Sequence, residues 1–177
     1  LYDKLNNTWS VETPVGGATF SGVPRFIIVK TGPTREEAVV GVLNDTGTLF
    51  VVRWDGSIWS QLGSNITTGI NPAVTKVFDI VYENTSGDAM VVVGGAVDPS
   101  YYIWNGSTWT GPTTITQATK TTGVIRWVEL ASRKTASSDE IVLAYPDVNG
   151  DLNALIWSGS AWTEQTAVGT ALSTGIE

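Results

Sequence analysis

The chain contains no cysteine and no histidine, a single methionine, and 10 basic residues against 17 acidic ones in 177. Each shortage removes a class of function. Without cysteine there are no disulfides, no thiolate nucleophile and no sulfur-ligated metal. Without histidine the commonest general base and the commonest transition-metal ligand are gone. A formal charge of −7 opposes binding to a phosphate backbone, whose partners carry a positive footprint, so nucleic acid is not an expected partner. No apolar stretch approaches the roughly 18 residues of a membrane-spanning helix, so no membrane span is expected. No charged-then-apolar leader opens the chain. Runs with helical periodicity and caps are also missing.

What is present is repetition. A unit bounded by two tryptophans, Trp54-Asp55-Gly56-Ser57-Ile58-Trp59, recurs as Trp104-Asn105-Gly106-Ser107-Thr108-Trp109 and as Trp157-Ser158-Gly159-Ser160-Ala161-Trp162, with a worn copy at Leu5-Asn6-Asn7-Thr8-Trp9. The closing tryptophans are separated by 50, 50 and 53 residues, a period that marks propellers, solenoids and arrays. An apolar run entering the first Trp, a polar Gly-containing turn and a second Trp leading out make a hairpin with an aromatic at each end.

Four strands are expected per repeat. In the first complete copy these are 25–30, the near-continuous apolar run 38–43, 49–54 and 58–62. Runs of valine and isoleucine this dense read as strands buried on both faces. The second copy places strands at 77–83, 89–93, 101–104 and 108–110, and the third at 125–130, 140–145, 152–157 and 161–163. The expected class is all-β, an array of four-stranded antiparallel blades resembling a β-propeller, with a β-sandwich as the alternative. The expected divisions are a half blade at 1–9, blades at 10–59, 60–109 and 110–162, and a lead-in to a further repeat at 163–177. Copies one and three share an Asn/Asp-x-x-Gly turn before the third strand, which points to a two-blade repeat. The chain begins at Leu1, in the middle of a repeat, as a piece of something longer would. Three and a half blades do not close by themselves, so association with other repeats of a parent chain or with a second chain is expected.

The string Ile125–Leu130, a polar turn, Asp139–Leu143, Asp147–Leu152 and Trp157–Trp162 resembles a unit of uncharacterised, repetitive, Trp-rich secreted proteins of bacteria and archaea, and Phe78–Trp109 resembles their alternate unit. That resemblance implies propeller-like blades and a secreted or cell-surface location. A looser likeness is to the fungal fucose-binding propeller lectins, whose blades also end in an Asp-Gly turn between aromatic strands. Their sugar site takes Arg, Glu and Trp converging from adjacent blades, and that set does not recur in register here. The sialidase Asp-box has an Asp-to-Trp spacing one residue longer than Asp55 to Trp59.

Aromatics at the same register of every repeat, Trp54, Trp59, Trp104, Trp109, Trp157 and Trp162, read as packing between repeats, and replacing Trp59 or Trp109 by alanine is expected to cost about 3–5 kcal/mol. Tyr82, Tyr101, Tyr102 and Trp127 break that register and are the candidates for contact with a glycan, because a ring face is apolar while neighbouring polar groups bond hydroxyls. Asp79, Glu83, Glu129 and Glu140 are the carboxylates that glycoside chemistry would need, although the sequence gives no separations. Asp147, Asn149 and Asp151 stand at alternate positions with Gly150 for the bend, as at the start of a calcium loop, but without its distal glutamate; an Asx turn joining two strands explains the same residues. Calcium is thus the one cofactor to consider. Sequons at Asn6, Asn44, Asn65, Asn84 and Asn105 suit a glycosylated secreted protein. The function expected is a non-catalytic structural or adhesive segment, with a carbohydrate-binding propeller lectin as the alternative and a glycan-active enzyme as the weakest reading.

Overall fold

A computed structural model describes residues 2–3, 5–9, 20–70, 75–117, 123–135 and 137–165. A two-stranded hairpin, β1 (Tyr2–Asp3) with β2 (Thr8–Trp9), comes first. Three four-stranded sheets follow. The first contains β3 (Pro24–Thr31), β4 (Ala38–Asn44), β5 (Thr48–Trp54) and β6 (Trp59–Gln61), with the short β7 (Ile66–Thr67) added to β5. The second contains β8 (Phe78–Tyr82), β9 (Ala89–Val93), β10 (Ser100–Trp104) and β11 (Trp109–Thr114), and the third β12 (Glu129–Ser132), β13 (Ile141–Pro146), β14 (Leu152–Trp157) and β15 (Trp162–Glu164). In each, four strands form an antiparallel meander paired in chain order, and β7 lies off that path. The protein is therefore all-β with propeller-like blades. The lead-in expected at 163–177 lies outside the described residues from 166 onward.

The Trp-turn-Trp unit is the last hairpin of every complete sheet, with Trp54 opposite Trp59, Trp104 opposite Trp109 and Trp157 opposite Trp162. The turns form because the residue after the first Trp bonds its own loop. Asp55 Oδ1 accepts from the N–H groups of Ser57 (3.0 Å) and Ile58 (2.9 Å), and Asn105 Oδ1 does the same for Ser107 (3.0 Å) and Thr108 (2.8 Å). Gly56, Gly106 and Gly159 follow at φ of 95°, 92° and 94°, where a side chain would be strained. The hydrogen bond from Ile58, followed by those from Ser57, holds the Asp55 carboxyl below its ordinary range.

Two cores lie between the sheets. Val39, Leu43, Leu49 and Val51 of the first sheet meet Phe78, Ile80, Tyr82 and Trp104 of the second. Val81, Met90 and Val92 on the opposite face of the second meet Val128, Leu130, Leu143, Tyr145 and Trp157 of the third. The middle sheet is covered on both sides, so β8 and β9 are buried at every residue. That corrects the expectation for 38–43. In β4 buried residues alternate with half-buried ones, because Val39 and Leu43 face the second sheet while Val40 and Val42 face away from it. The first strand of the third copy is also displaced from the expected 125–130. β12 begins at Glu129, and Ile125 instead forms an isolated bridge to Asp147. The innermost strands β3, β8 and β12 all start their sheets, and β8 touches both β3 and β12.

Candidate functional site

The polar chemistry of the molecule collects at the boundaries between sheets. In the hairpin joining β3 to β4, Glu37 is buried and its carboxylate is fully used. Oε1 accepts from Arg35 (2.9 Å) and from the hydroxyl of Tyr82 (3.2 Å), and Oε2 accepts from the indole N–H of Trp104 (3.2 Å). Arg35 reaches on to the carbonyls of Ser86 and Gly87, and it lies against Gly106, where an added Cβ would come within 3.1 Å of its guanidinium carbon. Arg53 stacks over the Trp104 ring at 4.8 Å while pairing with Asp55 at 3.3 Å. Arg35, Glu37 and Trp104 thus meet across the boundary between the first and second sheets. Burial, then the negative charge of Glu37, raises the Tyr82 hydroxyl well above its ordinary value, so Tyr82 stays a donor.

The second boundary repeats the device with different residues. The indole N–H of Trp157 donates to Glu83, Asn84 donates to the carbonyl of Arg133, and Asp139 Oδ1 accepts from the N–H groups of Thr85 (2.6 Å) and Ser86 (3.1 Å). Asp79 Oδ2 accepts from the N–H of Leu130 at 2.9 Å. Burial raises the Glu83 carboxyl above its ordinary 4.5, against the hydrogen bonds from Ser86 and Trp157. The folded state then holds that proton more tightly than the unfolded chain. Its contribution to stability is fully present below pH 4.5 and lost as the pH rises through the raised folded value. Glu83→Gln is expected to flatten this part of the stability–pH curve, measured as urea midpoints across the acid range. An unchanged curve would remove Glu83 as its source.

The four candidate ligand aromatics separate. Tyr82 is buried in the first boundary. Tyr101 packs between sheets against Trp157 (5.6 Å) and Trp162 (6.1 Å), and Tyr102 stacks on Trp109 at 5.3 Å and 10°. Trp127 remains 39% exposed. Its N–H donates to Glu129 Oε1 at 2.7 Å, which fixes the ring, while Phe26 meets its edge and the Lys76 ammonium sits 5.9 Å from its centre. Lys76 also bridges Asp79 (3.2 Å) and Glu129 (2.9 Å). Desolvation pushes the Glu129 carboxyl up but is outweighed by the hydrogen bonds from Trp127 and Lys76 and by the Lys76 charge, so it lies below its ordinary value and stays an anionic acceptor. Trp127, Lys76 and Glu129 thus form a shallow aromatic platform with one cation and one carboxylate at the starts of β8 and β12.

Among the regular tryptophans, Trp104 and Trp157 are buried, while Trp54, Trp59, Trp109 and Trp162 are half-buried. Trp109 packs over Gly63, where a Cβ would meet its ring at 2.5 Å. Of the four candidate carboxylates, Asp79 and Glu129 share Lys76, Glu83 bonds Trp157 and Ser86, and Glu140 pairs with Arg133 at 3.3 Å. Asp147 is buried, and its Oδ1 accepts from the N–H groups of Asn149 (2.9 Å) and Asp151 (3.1 Å), which builds a turn. No group of three or more acidic side chains able to hold a metal occurs among the described residues. Asn6, Asn65 and Asn105 are exposed and Asn84 half-buried. Asn44 is buried, with its amide nitrogen donating to Ser21 and its oxygen accepting from Thr46 and Thr48.

Arg35, Glu37, Lys76 and Asp139 carry these contacts and were not singled out in the sequence. The signal for Arg35, Glu37 and Asp139 was a charged residue in the loop after the first strand of a sheet, at offsets that differ between copies; Lys76, just before β8, had none.

No protein-family model matches the chain, and no curated protein matches it in sequence. Solved structures do match in fold. A variant of the Aleuria aurantia lectin in complex with alpha-methyl-L-fucoside aligns over 90% of this chain and 50% of its own, at 16% identity and a TM-score of 0.58. AofleA from Arthrobotrys oligospora aligns over 87% and 47%, at 15% identity and 0.59, and a lectin from Burkholderia pseudomallei over 85% and 42%, at 14% and 0.58. The chain spans about half the length of these lectins, and the likeness to them is one of β-propeller fold.

Proposed function

We propose that the chain is a non-catalytic, carbohydrate-binding segment of a secreted or cell-surface β-propeller, and that Trp127 is its sugar platform. The observation that carries this is the exposed Trp127 ring, locked by Glu129 and flanked by Lys76. An apolar ring face suits the C–H face of a pyranose, and an ionised carboxylate beside an ammonium suits its hydroxyls. The fold's likeness to lectins, one of them bound to alpha-methyl-L-fucoside, supports the same class of ligand. The resemblance of the repeats to Trp-rich secreted proteins is compatible with the location.

Glycan-array binding followed by calorimetric titration of the inhibitory sugar tests this. Trp127→Ala is expected to weaken binding roughly tenfold or more, about 1.4 kcal/mol, with an unchanged thermal midpoint because the ring lies outside both cores. Absence of any sugar-inhibitable binding in the wild-type chain would overturn carbohydrate recognition. Binding indifferent to Trp127→Ala would overturn the site alone.

A second reading, a structural segment of a larger assembly, is favoured by the exposed apolar side chains of Ile27 and Val29 in the first sheet and Val142 in the third.

A further inference from the structure

The first strands of the three sheets, β3, β8 and β12, end beside one another, and an open cleft of about 470 Å³ lies where they end. That volume is within the range of small-molecule sites. Its apolar lining includes Val81, Leu130 and Ala131, with Tyr82 beside them. Its polar side chains are Lys30, Thr31, Asn84 and Ser132, and no acidic side chain lines it among the described residues.

The three strand ends are in register. Thr31, Tyr82 and Ser132 pair with Ala38, Ala89 and Ile141, which in turn pair with Trp54, Trp104 and Trp157. The residues just before them are Lys30, Val81 and Ala131, so a lysine holds a position that is aliphatic in the other two sheets. Packing does not account for its charge. Arg35, Arg53, Lys76 and Arg133 each pair with a carboxylate, whereas the half-buried Lys30 has no ion pair or hydrogen bond through its ammonium to any described residue. The hydroxyls of Thr31 and Ser132 are also without a hydrogen bond to a described residue. Asn84 donates to the carbonyl of Arg133, which leaves its amide oxygen as an acceptor. Glu37 and Glu83, in the loops after β3 and β8, are engaged elsewhere, the first by Arg35, Tyr82 and Trp104 and the second by Ser86 and Trp157. A part-desolvated ammonium without a counter-charge is unfavourable, and an anionic ligand offsets that cost.

We propose that this cleft binds a sugar acid, with the carboxylate on Lys30 and the ring hydroxyls on Thr31, Ser132 and the Asn84 amide oxygen. One ammonium, with no arginine lining the cleft among the described residues, matches the single charge of a carboxylate better than the double charge of a phosphate. The aliphatic lining takes the C–H groups of the ring. The chain's formal charge of −7 does not prevent this, because charges beyond about 8 Å are largely screened at physiological ionic strength, so the adjacent lysine outweighs distant carboxylates. The site is separate from Trp127. The platform lies at the starts of β8 and β12 and the cleft at their ends, so the five residues of β8 stand between them, roughly 13 Å at about 3.3 Å per residue. Binding here does not rest on carbohydrate recognition at Trp127.

Calorimetric titration of the full chain with D-glucuronate, D-glucose and acetate tests the proposal. Glucuronate is expected to bind at least about tenfold more tightly than either of the others, since glucose lacks the charge and acetate the hydroxyls, and to lose affinity as salt is raised. Lys30→Gln is expected to weaken glucuronate roughly tenfold or more, Ser132→Ala to weaken it less, and Trp127→Ala to leave it unchanged. Methyl β-D-glucuronide separates two sources of the same chemistry: binding equal to that of glucuronate marks the terminal uronate of a glycan, weaker binding marks the free acid, and either supports the site. Absence of glucuronate binding by the wild type, glucose or acetate binding as tightly, or an affinity for glucuronate that falls with Trp127→Ala but not with Lys30→Gln would each overturn the proposal. Loss of neutral-glycan binding in Trp127→Ala alters none of these outcomes, so failure of one site is told from failure of the other. The thermal midpoint of each variant separates lost binding from lost folding, and Ser132→Ala keeps the comparison valid should Lys30→Gln unfold.

Discussion

Trp157→Ala is expected to lower stability by about 3–5 kcal/mol, the range for removing a large buried aromatic, and to loosen the third sheet from the second before the rest unfolds. Trp157 is 4% exposed and packs against Tyr101 at 5.6 Å and Trp162 at 5.4 Å. Its removal opens a cavity between two sheets and takes the indole donor from Glu83, whose burial already disfavours its charge. Stability in a stacked array is a sum of unit and neighbour terms, so weakening one boundary is expected to broaden or split the urea transition. Trp54→Ala, at the equivalent but only half-buried position, is expected to shift the midpoint far less. Equal shifts for the two variants would show that register, not burial by the neighbouring sheet, sets the cost. The same comparison moves the largest expected loss from Trp59 to the first tryptophan of a covered unit, because Trp59 is only half-buried.

Glu37→Ala is expected to cost about 2–6 kcal/mol, since it strands two buried donors at roughly 1–3 kcal/mol each. The Tyr82 hydroxyl and the Trp104 indole N–H both point at this one carboxylate. Arg35 loses less, because it is part-exposed and keeps the carbonyls of Ser86 and Gly87. A double substitution separates a stranded donor from simple loss of packing. Adding Tyr82→Phe to Glu37→Ala removes one stranded hydroxyl, so it is expected to recover part of the loss, whereas Tyr82→Phe alone is expected to destabilise. Strictly additive losses in the unfolding free energies would rule out the carboxylate as the shared acceptor.

Most of the strand plan was legible because a sheet writes its period locally. The runs at 38–43, 89–93 and 152–157 and the Gly turns between tryptophans specify hairpins through neighbours a few residues away, and the structure has β4, β9 and β14 there. The exception at 125–130 is also local. Val128 and Leu130 alternate as a strand would, but Ile125 is drawn into a bridge with Asp147 of another turn.

Sequence alone determined the all-β class, the repeat and the paired tryptophans of each last hairpin, because periodicity, turn chemistry and composition act through bonds and near neighbours. Only the tertiary structure decided which of those tryptophans are buried. Trp54 and Trp104 are alike in sequence context, but Trp104 packs in the core shared with the first sheet and is buried, whereas Trp54 is half-buried. It also decided that Glu37 and Trp104, 67 positions apart, and Glu83 and Trp157, 74 apart, perform one job with carboxylates at different places in their loops. A hydrogen bond requires that two atoms meet, not that their positions in the repeat coincide. The exposure of Trp127 was settled in the same way, by where the starts of β3, β8 and β12 gather Phe26, Lys76 and Glu129 around a ring that belongs to no repeat position.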